Sequence, residues 1–206
     1  MNINDALVRF LEYLEIEKGR SLKTVRNYRH YISRYIDIQN LKHTDDISAG
    51  SLREFRLYLN RQEGIKIKGQ AEGTMKKRTQ NYYLIAIRMF LKYLIKIGIP
   101  VYSPDHIELA KTSDRQVDYL DINELLRMLE ISKKHPRNYA ILAMLFSTGL
   151  RVSELCSLNR DIDLSKDEFT IRGKGEKLRI VFLSPEARKA TLSYIKTRTD
   201  MDEALF

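Results

Sequence analysis

Apolar residues recur at three- and four-residue spacing through most of the first hundred positions, and at alternate positions in a short stretch near residue 180. Ile3, Leu7, Phe10, Leu11 and Leu14 predict a first helix, with Gly19 placed to end it. Ser21 is positioned to cap a second helix that carries Val25, Tyr28, Ile32 and Tyr35 on one face. Lys23, Arg26, Arg29 and Arg34 are distributed over the rest of that helix. Leu52, Phe55 and Leu59, with neighbouring Tyr58, give a third helix over about Ala49 to Gln62. The fourth and longest runs from about Met75 to Ile97 and stops at Gly98. Four helices with short connections predict a compact bundle of about 100 residues. Gly64 to Gly73, with three glycines and two lysines, reads as a flexible loop between the third and fourth.

Ile99 to Gln116 contains two prolines and no periodic apolar face, so it reads as a linker, with a domain boundary near Ser113. This divides the chain into residues 1–112 and 113–206. Beyond it, Asp121 and Glu124 have the spacing of a capping box before Leu125, Leu126 and Leu129. Asn138 to Thr148 is rich in Ile141, Leu142, Met144, Leu145 and Phe146, which predicts a buried helix stopped by Gly149. A short helix over Val152 to Leu158 follows. The period then changes: Glu168 to Ile171 and Leu178 to Leu183 read as strands joined by turn residues Gly173 to Glu176. Ser184 and Pro185 open a last helix to about Thr197. Its apolar face has little sequence left to pack on, so the last ten residues are expected to fray or to rest on a missing element or a partner.

The composition, 43% apolar, is that of a chain with packed cores. Cys156 is the sole cysteine, which excludes an internal disulfide and a Cys-rich zinc site and suits a reducing cytoplasm. No apolar run approaches the roughly 18 residues that would span a bilayer, so no membrane association is expected. The four histidines, His30, His43, His106 and His135, are scattered without paired ligand spacing, which argues against a metal hydrolase. The net charge of +9 is uneven. Residues 1–112 hold 20 Lys/Arg against 12 Asp/Glu, and residues 113–206 hold 16 against 15. A basic module followed by a nearly neutral one suits a first part that grips a polyanion through phosphate neutralisation.

Candidate contacts follow from this. Lys76, Lys77, Arg78, Thr79 and Asn81 lie at the start of the fourth helix, where backbone N–H groups and the helix dipole favour an anion. Lys23, Arg26 and Asn27 occupy the beginning of the second. In the second half, Arg151 follows a glycine helix stop and can project a two-pronged guanidinium, suited to the spread charge of a phosphoryl group. Glu154, three residues on, is close enough to orient that guanidinium or brace the turn. Lys174 stands between two glycines at the predicted hairpin tip, and Lys177 and Arg179 continue a basic edge suited to holding a DNA backbone. A nucleotide-binding loop does not fit Gly173-Lys174-Gly175, which lacks the longer glycine spacing and the following Ser/Thr.

The block Thr148-Gly149-Leu150-Arg151-Val152-Ser153-Glu154-Leu155, followed by Arg172-Gly173-Lys174-Gly175-Glu176-Lys177-Leu178-Arg179, resembles the first half of a tyrosine recombinase active site of the Xer or phage-integrase type. The resemblance extends to the first half of the chain through Phe10-Leu11-x-Tyr13-Leu14, Ser21-Leu22-x-Thr24-Val25-x-x-Tyr28 and Ala86-Ile87-Arg88-x-Phe90-x-x-Tyr93-Leu94. It implies a mainly α protein with a small β-hairpin: a four-helix, SAM-like core-binding domain, then a truncated α+β catalytic domain. It also implies site-specific recombination of double-stranded DNA through a 3′-phosphotyrosine, with recombinase protomers as synaptic partners and no cofactor or metal. Arg151 would be the first catalytic arginine, Glu154 a supporting acid and Lys174 the general acid toward the leaving 5′-hydroxyl.

The family's later residues, a His-x-x-Arg pair and a tyrosine nucleophile, have no counterpart in these 206 positions. No histidine has arginine three residues later, and Tyr194 lies in the wrong context. Two readings therefore stand: part of a recombinase that does not cleave DNA alone, or a non-catalytic DNA-binding or accessory protein derived from one.

Overall fold

A computed structural model describes residues 1–62, 74–112, 117–173 and 177–206. The expected loop at Gly64 to Gly73, the boundary at Ser113 and the hairpin tip with Lys174 all lie outside the described residues. The chain separates into two compact units, Met1–Arg115 and Gln116–Phe206, each with its own apolar core.

In the first unit, α1 (Ile3–Glu12) starts at Asn2, whose side chain accepts from the Asn4 N–H at 2.9 Å. It continues into a π-helical turn, Tyr13–Glu17, and the chain reverses at Gly19, φ +56°. Ser21 Oγ accepts the Thr24 N–H to cap α2 (Leu22–Gln39). Helices α3 (Ala49–Arg61) and α4 (Lys77–Lys96) follow, and Gly98 leaves α4 at φ +79°. Phe10, Ile32, Tyr35, Phe55, Leu59, Ile87, Phe90 and Leu94 fill the centre and are all essentially inaccessible.

The expected free linker after α4 is instead largely part of this unit. Ile107 is buried, and Ile99, Val101 and Tyr102 pack against the bundle. A 3₁₀ turn, Pro104–His106, lies against α4. The Asn81 side chain pins the segment, accepting from the Ala110 N–H at 3.0 Å and donating to the Ala110 carbonyl at 2.9 Å. Irregular backbone has no period, so the sequence pattern alone could not reveal this burial.

In the second unit, the Asp121/Glu124 capping box opens α5 (Ile122–Ser132), with both reciprocal bonds at 2.9 Å. Helix α6 (Pro136–Thr148) ends at Gly149, φ +62°. Only Ala140, Ala143 and Met144 of α6 are buried. Phe146 is 60% exposed and Ile141 and Leu142 are partly so, so the expected buried helix has one covered side. A single turn, α7 (Val152–Leu155), leads to strands β1 (Glu168–Arg172) and β2 (Leu178–Phe182). They pair antiparallel with Glu168 opposite Phe182 and Arg172 opposite Leu178, and Ile171 and Val181 face the core.

Helix α8 (Pro185–Thr197), capped by Ser184, packs along α6. The expectation of a frayed end is overturned. Arg198 donates to the carbonyls of Ala204 and Leu205, and the Leu205 N–H bonds the Leu158 carbonyl at 2.7 Å. Leu205 is completely buried, and Phe206 stacks on Tyr194 at 5.6 Å. The face of α8 thus finds its partners in α6 and in a tail that folds back. Among the described residues no helix is long and apolar enough to cross a membrane.

Candidate active site and nucleic-acid interface

Gly149 sets the position of Arg151. The left-handed glycine lets its N–H close on the Leu145 carbonyl at 3.0 Å, which ends α6 and turns the chain within two residues. Thr148 Oγ1 braces the turn, donating to the Met144 carbonyl at 2.7 Å and accepting from the Leu150 N–H at 3.3 Å. Leu150 then anchors in the core, and Arg151 begins α7 with its side chain 60% exposed.

Glu154 is the hub beneath it. Its carboxylate is only 8% exposed and receives the Arg151 backbone N–H at 2.8 Å and Arg151 Nη1 at 2.8 Å. The third donor is Arg179 Nη2, from β2, at 2.9 Å. The Arg151 backbone hydrogen bond, then the Arg151 guanidinium bond and the charges of Arg179 and Arg151, hold the carboxyl below the usual carboxylate range against the opposing effect of burial. A carboxylate satisfied on both oxygens fixes the Arg151 guanidinium and leaves its outer edge open for an anion.

The hairpin comes to the same place. Gly173 N–H bonds the Lys177 carbonyl at 2.8 Å, closing the ends of the turn. A methyl group on Gly173 would sit 3.5 Å from Glu154 Oε1, so the turn leaves from beside the carboxylate. Lys174, the expected general acid, lies outside the described residues, one position beyond Gly173. Lys177 is exposed. Arg179, expected on a DNA backbone, is engaged with Glu154. The sequence carried no direct signal for this pair, because strand-to-helix contacts have no fixed spacing. Tyr194 is buried against Phe206, with the Arg198 guanidinium 5.9 Å from its ring centre.

In the first unit, Lys23, Asn27 and His30 follow one another at helical spacing, and all three are exposed, as is Arg26. Tyr31 of α2 stacks on Tyr82 of α4 at 6.4 Å and meets Tyr83 at 4.7 Å. The Tyr83 hydroxyl lies 3.3 Å from His30 Nε2 and accepts from Arg34 Nη1 at 3.1 Å. Burial, with the nearby Tyr83 and Tyr82 hydroxyls, pushes the Tyr31 hydroxyl up from its ordinary value.

Arg78, four residues before Tyr82, shares its face of α4. The result is a strip with cations toward both ends and aromatic rings between them. From Lys23 to His30 the α2 axis advances about 10 Å, comparable with a major groove of about 12 Å. Lys76, Lys77, Arg78 and Thr79 are exposed at the α4 start, and Lys76 supplies no side-chain cap there.

Two expected surface groups have other work. Arg34 clamps Tyr83, Tyr58 and Gln62 at 3.1–3.3 Å, and the hydrogen bond to Tyr58 is the chief reason its pKa is raised. Asn81 is spent on Ala110. His30 and Tyr31 were passed over in the sequence, although the spacing from Lys23 and Asn27 would have placed them on this strip.

Residues 117–206 match the profile of the Phage integrase family, and residues 7–98 that of the phage integrase N-terminal SAM-like domain. The chain is 33% identical over 193 residues to tyrosine recombinase XerC of Bacillus pumilus (strain SAFR-032), covering 91% of this chain and 61% of that protein. It is 34% identical over 204 residues to tyrosine recombinase XerD of Oceanobacillus iheyensis, covering 95% of this chain and 65% of that one. The chain therefore spans less than two thirds of the length of these relatives. A lambda integrase dimer bound to a core site superposes with a TM-score of 0.69 at 17% identity, covering 94% of this chain and 69% of that one. The Tn1549 transposon integrase with circular intermediate DNA gives 0.65 at 18%, covering 98% and 70%. These two likenesses show the fold.

Proposed function

We propose, for a chain that belongs to the phage integrase family of tyrosine recombinases, that its residues serve site-specific recombination of double-stranded DNA. The first unit is the core-binding domain and grips the duplex with the α2/α4 strip. Lys23, Arg26, Asn27, Lys76, Lys77, Arg78 and Thr79 neutralise or bond phosphates, and Lys177 adds a contact from the hairpin. The second unit is the amino-terminal part of the catalytic domain. Its reducing setting is the cytoplasm, which suits the exposed free thiol of Cys156.

The observation that carries this reading is the Glu154 carboxylate, which holds an exposed Arg151 guanidinium beside the root of a hairpin whose next residue is Lys174. Arg151 would bind non-bridging oxygens of the scissile phosphate and stabilise the charge that builds there. Lys174 would give a proton to the departing 5′-oxygen. Strand cleavage also needs a nucleophile and further positive charge. The buried Tyr194 is not poised for attack, so these residues by themselves hold DNA without cutting it. Other recombinase protomers would share the synapse, as in the lambda integrase tetramer bound to a Holliday junction.

Equilibrium binding to duplex DNA across a salt series tests the proposal. Affinity should fall steeply with salt, and the Lys23→Ala/Arg26→Ala and Lys77→Ala/Arg78→Ala pairs should each flatten the logarithmic slope by about 1.8, near 0.9 per lost phosphate contact. Weak, salt-insensitive binding would overturn it. A covalent protein–DNA adduct formed by these residues alone would overturn the account of the missing nucleophile.

A further inference from the structure

A second polar site lies in the first unit, in a groove of about 450 Å³ between α3, the start of α4 and the 3₁₀ turn. None of the residues assigned to duplex DNA, Lys23, Arg26 and Asn27 of α2 or Lys76 to Thr79 at the start of α4, lines it, so its lining is distinct from theirs. Arg53 and Arg56 stand one helical turn apart on α3 along its wall, and His106 faces them from the 3₁₀ turn. Among the described residues no carboxylate lines the groove and neither guanidinium has an ion-pair or hydrogen-bond partner. Arg56 is half-buried. A partly desolvated, unpaired guanidinium calls for an anion.

The other end of the groove is built differently. Gln80 Nε2 donates to the Met75 carbonyl at 2.8 Å and to Asn60 Oδ1 at 3.4 Å. The carbonyl of Met75 can only accept, which fixes the Gln80 amide, and Gln80 then fixes Asn60. Among the described residues Asn60 Nδ2 and Gln80 Oε1 keep no hydrogen-bond partner, which leaves one amide donor and one amide acceptor, the groups with which such side chains read the edge of a base. Leu52 and Ile107 provide an apolar floor. Along the α3 axis Asn60 lies about 6 Å from Arg56 and about 10 Å from Arg53. That separation suits the phosphate and the base edge of a single nucleotide.

We infer that this groove binds a nucleoside 5′-monophosphate, either free or as the phosphorylated 5′ end of a single strand. Arg53 and Arg56 hold the phosphate, and Asn60 and Gln80 meet the base. The volume lies within the range of small-molecule sites.

The test is titration of the ¹⁵N/¹³C-labelled full chain with adenosine 5′-monophosphate, adenosine, inorganic phosphate, and a short single strand with or without a 5′-phosphate. The nucleotide should shift the Tyr102 and His106 ring signals and the Asn60 side-chain amide. It should bind about tenfold more tightly than adenosine or phosphate alone, the factor expected of one charge-assisted contact. Arg56→Glu, and independently Asn60→Leu, should each weaken it by about the same factor while duplex binding stays unchanged. Comparing the free nucleotide with the phosphorylated strand identifies the source. Equal affinity for phosphate and nucleotide, nucleotide affinity unchanged in both variants, or ring signals that do not move would overturn the inference. The nucleotide readout does not depend on duplex binding, so failure of the DNA-gripping strip would be seen separately.

Discussion

Replacing Leu205 by Ala tests the part of the fold that departs most from the sequence pattern. Leu205 is completely buried as a member of the second core, and its own N–H is bonded to the Leu158 carbonyl. The tail around it is pinned at several further points. Arg160 N–H bonds the Glu203 carbonyl at 2.9 Å, Asn159 bridges Ala204, and Arg198 holds the last carbonyls. With the backbone fixed in this way the site cannot collapse fully, so truncation loses both transfer energy and packing. That places the cost at about 3 kcal/mol, within the range for Leu→Ala in a core. For a unit of this size such a loss lowers the midpoint temperature by about 15 °C. Urea unfolding followed by the amide signals of Met144 and Phe90 would report the two units separately. The Met144 transition should move and the Phe90 transition should not. A loss below about 1 kcal/mol would mean that the tail is not seated, and an equal shift of both signals would refute two independent cores.

Arg179→Met should weaken duplex binding while leaving the salt slope unchanged, because Arg179 acts on Arg151 through Glu154. Combined with Arg151→Ala it should be markedly non-additive; a slope flattened by about 0.9 with additive losses would make Arg179 a phosphate contact. Because the Glu154 carboxyl is held below the usual carboxylate range in the folded chain, chiefly by the Arg151 backbone N–H, its contribution to stability is present above the ordinary carboxylate pKa and is lost as pH falls through the depressed one. Urea midpoints of the native chain and Glu154→Gln should therefore converge on acidification, and a constant difference would refute the linkage. Gly149→Ala should cost about 1 kcal/mol in thermal unfolding, since a side chain at φ +62° is strained even where space is open, and Gly149→Asn should cost less.

Where a local rule decides the structure, the sequence was legible. Ser21, Asp121 and Ser184 cap the helices they were expected to cap, Gly149 stops α6, and the alternation around residue 180 became a hairpin. In the site, the three-residue spacing of Arg151 and Glu154 was enough to foresee their contact. The misses share a cause, because each depends on partners distant in the chain. Residues 99–110 and 198–206 have no period, yet Ile107 and Leu205 are buried by contacts the local pattern does not encode. Arg34 and Arg179 look like surface cations until α3, α4 and α7 bring tyrosines and a carboxylate to them. Phe146 looks like a core residue until its side of α6 is seen to be open.

The most direct test of the central claim is a chemical-shift map of the labelled chain titrated with duplex DNA at low salt. The account predicts shifts along Lys23, Asn27, His30 and Lys77 to Tyr82, and a second group at Arg151, Gly173 and Lys177, both reversed by added salt. Shifts confined to other surfaces, or none at all, would contradict it.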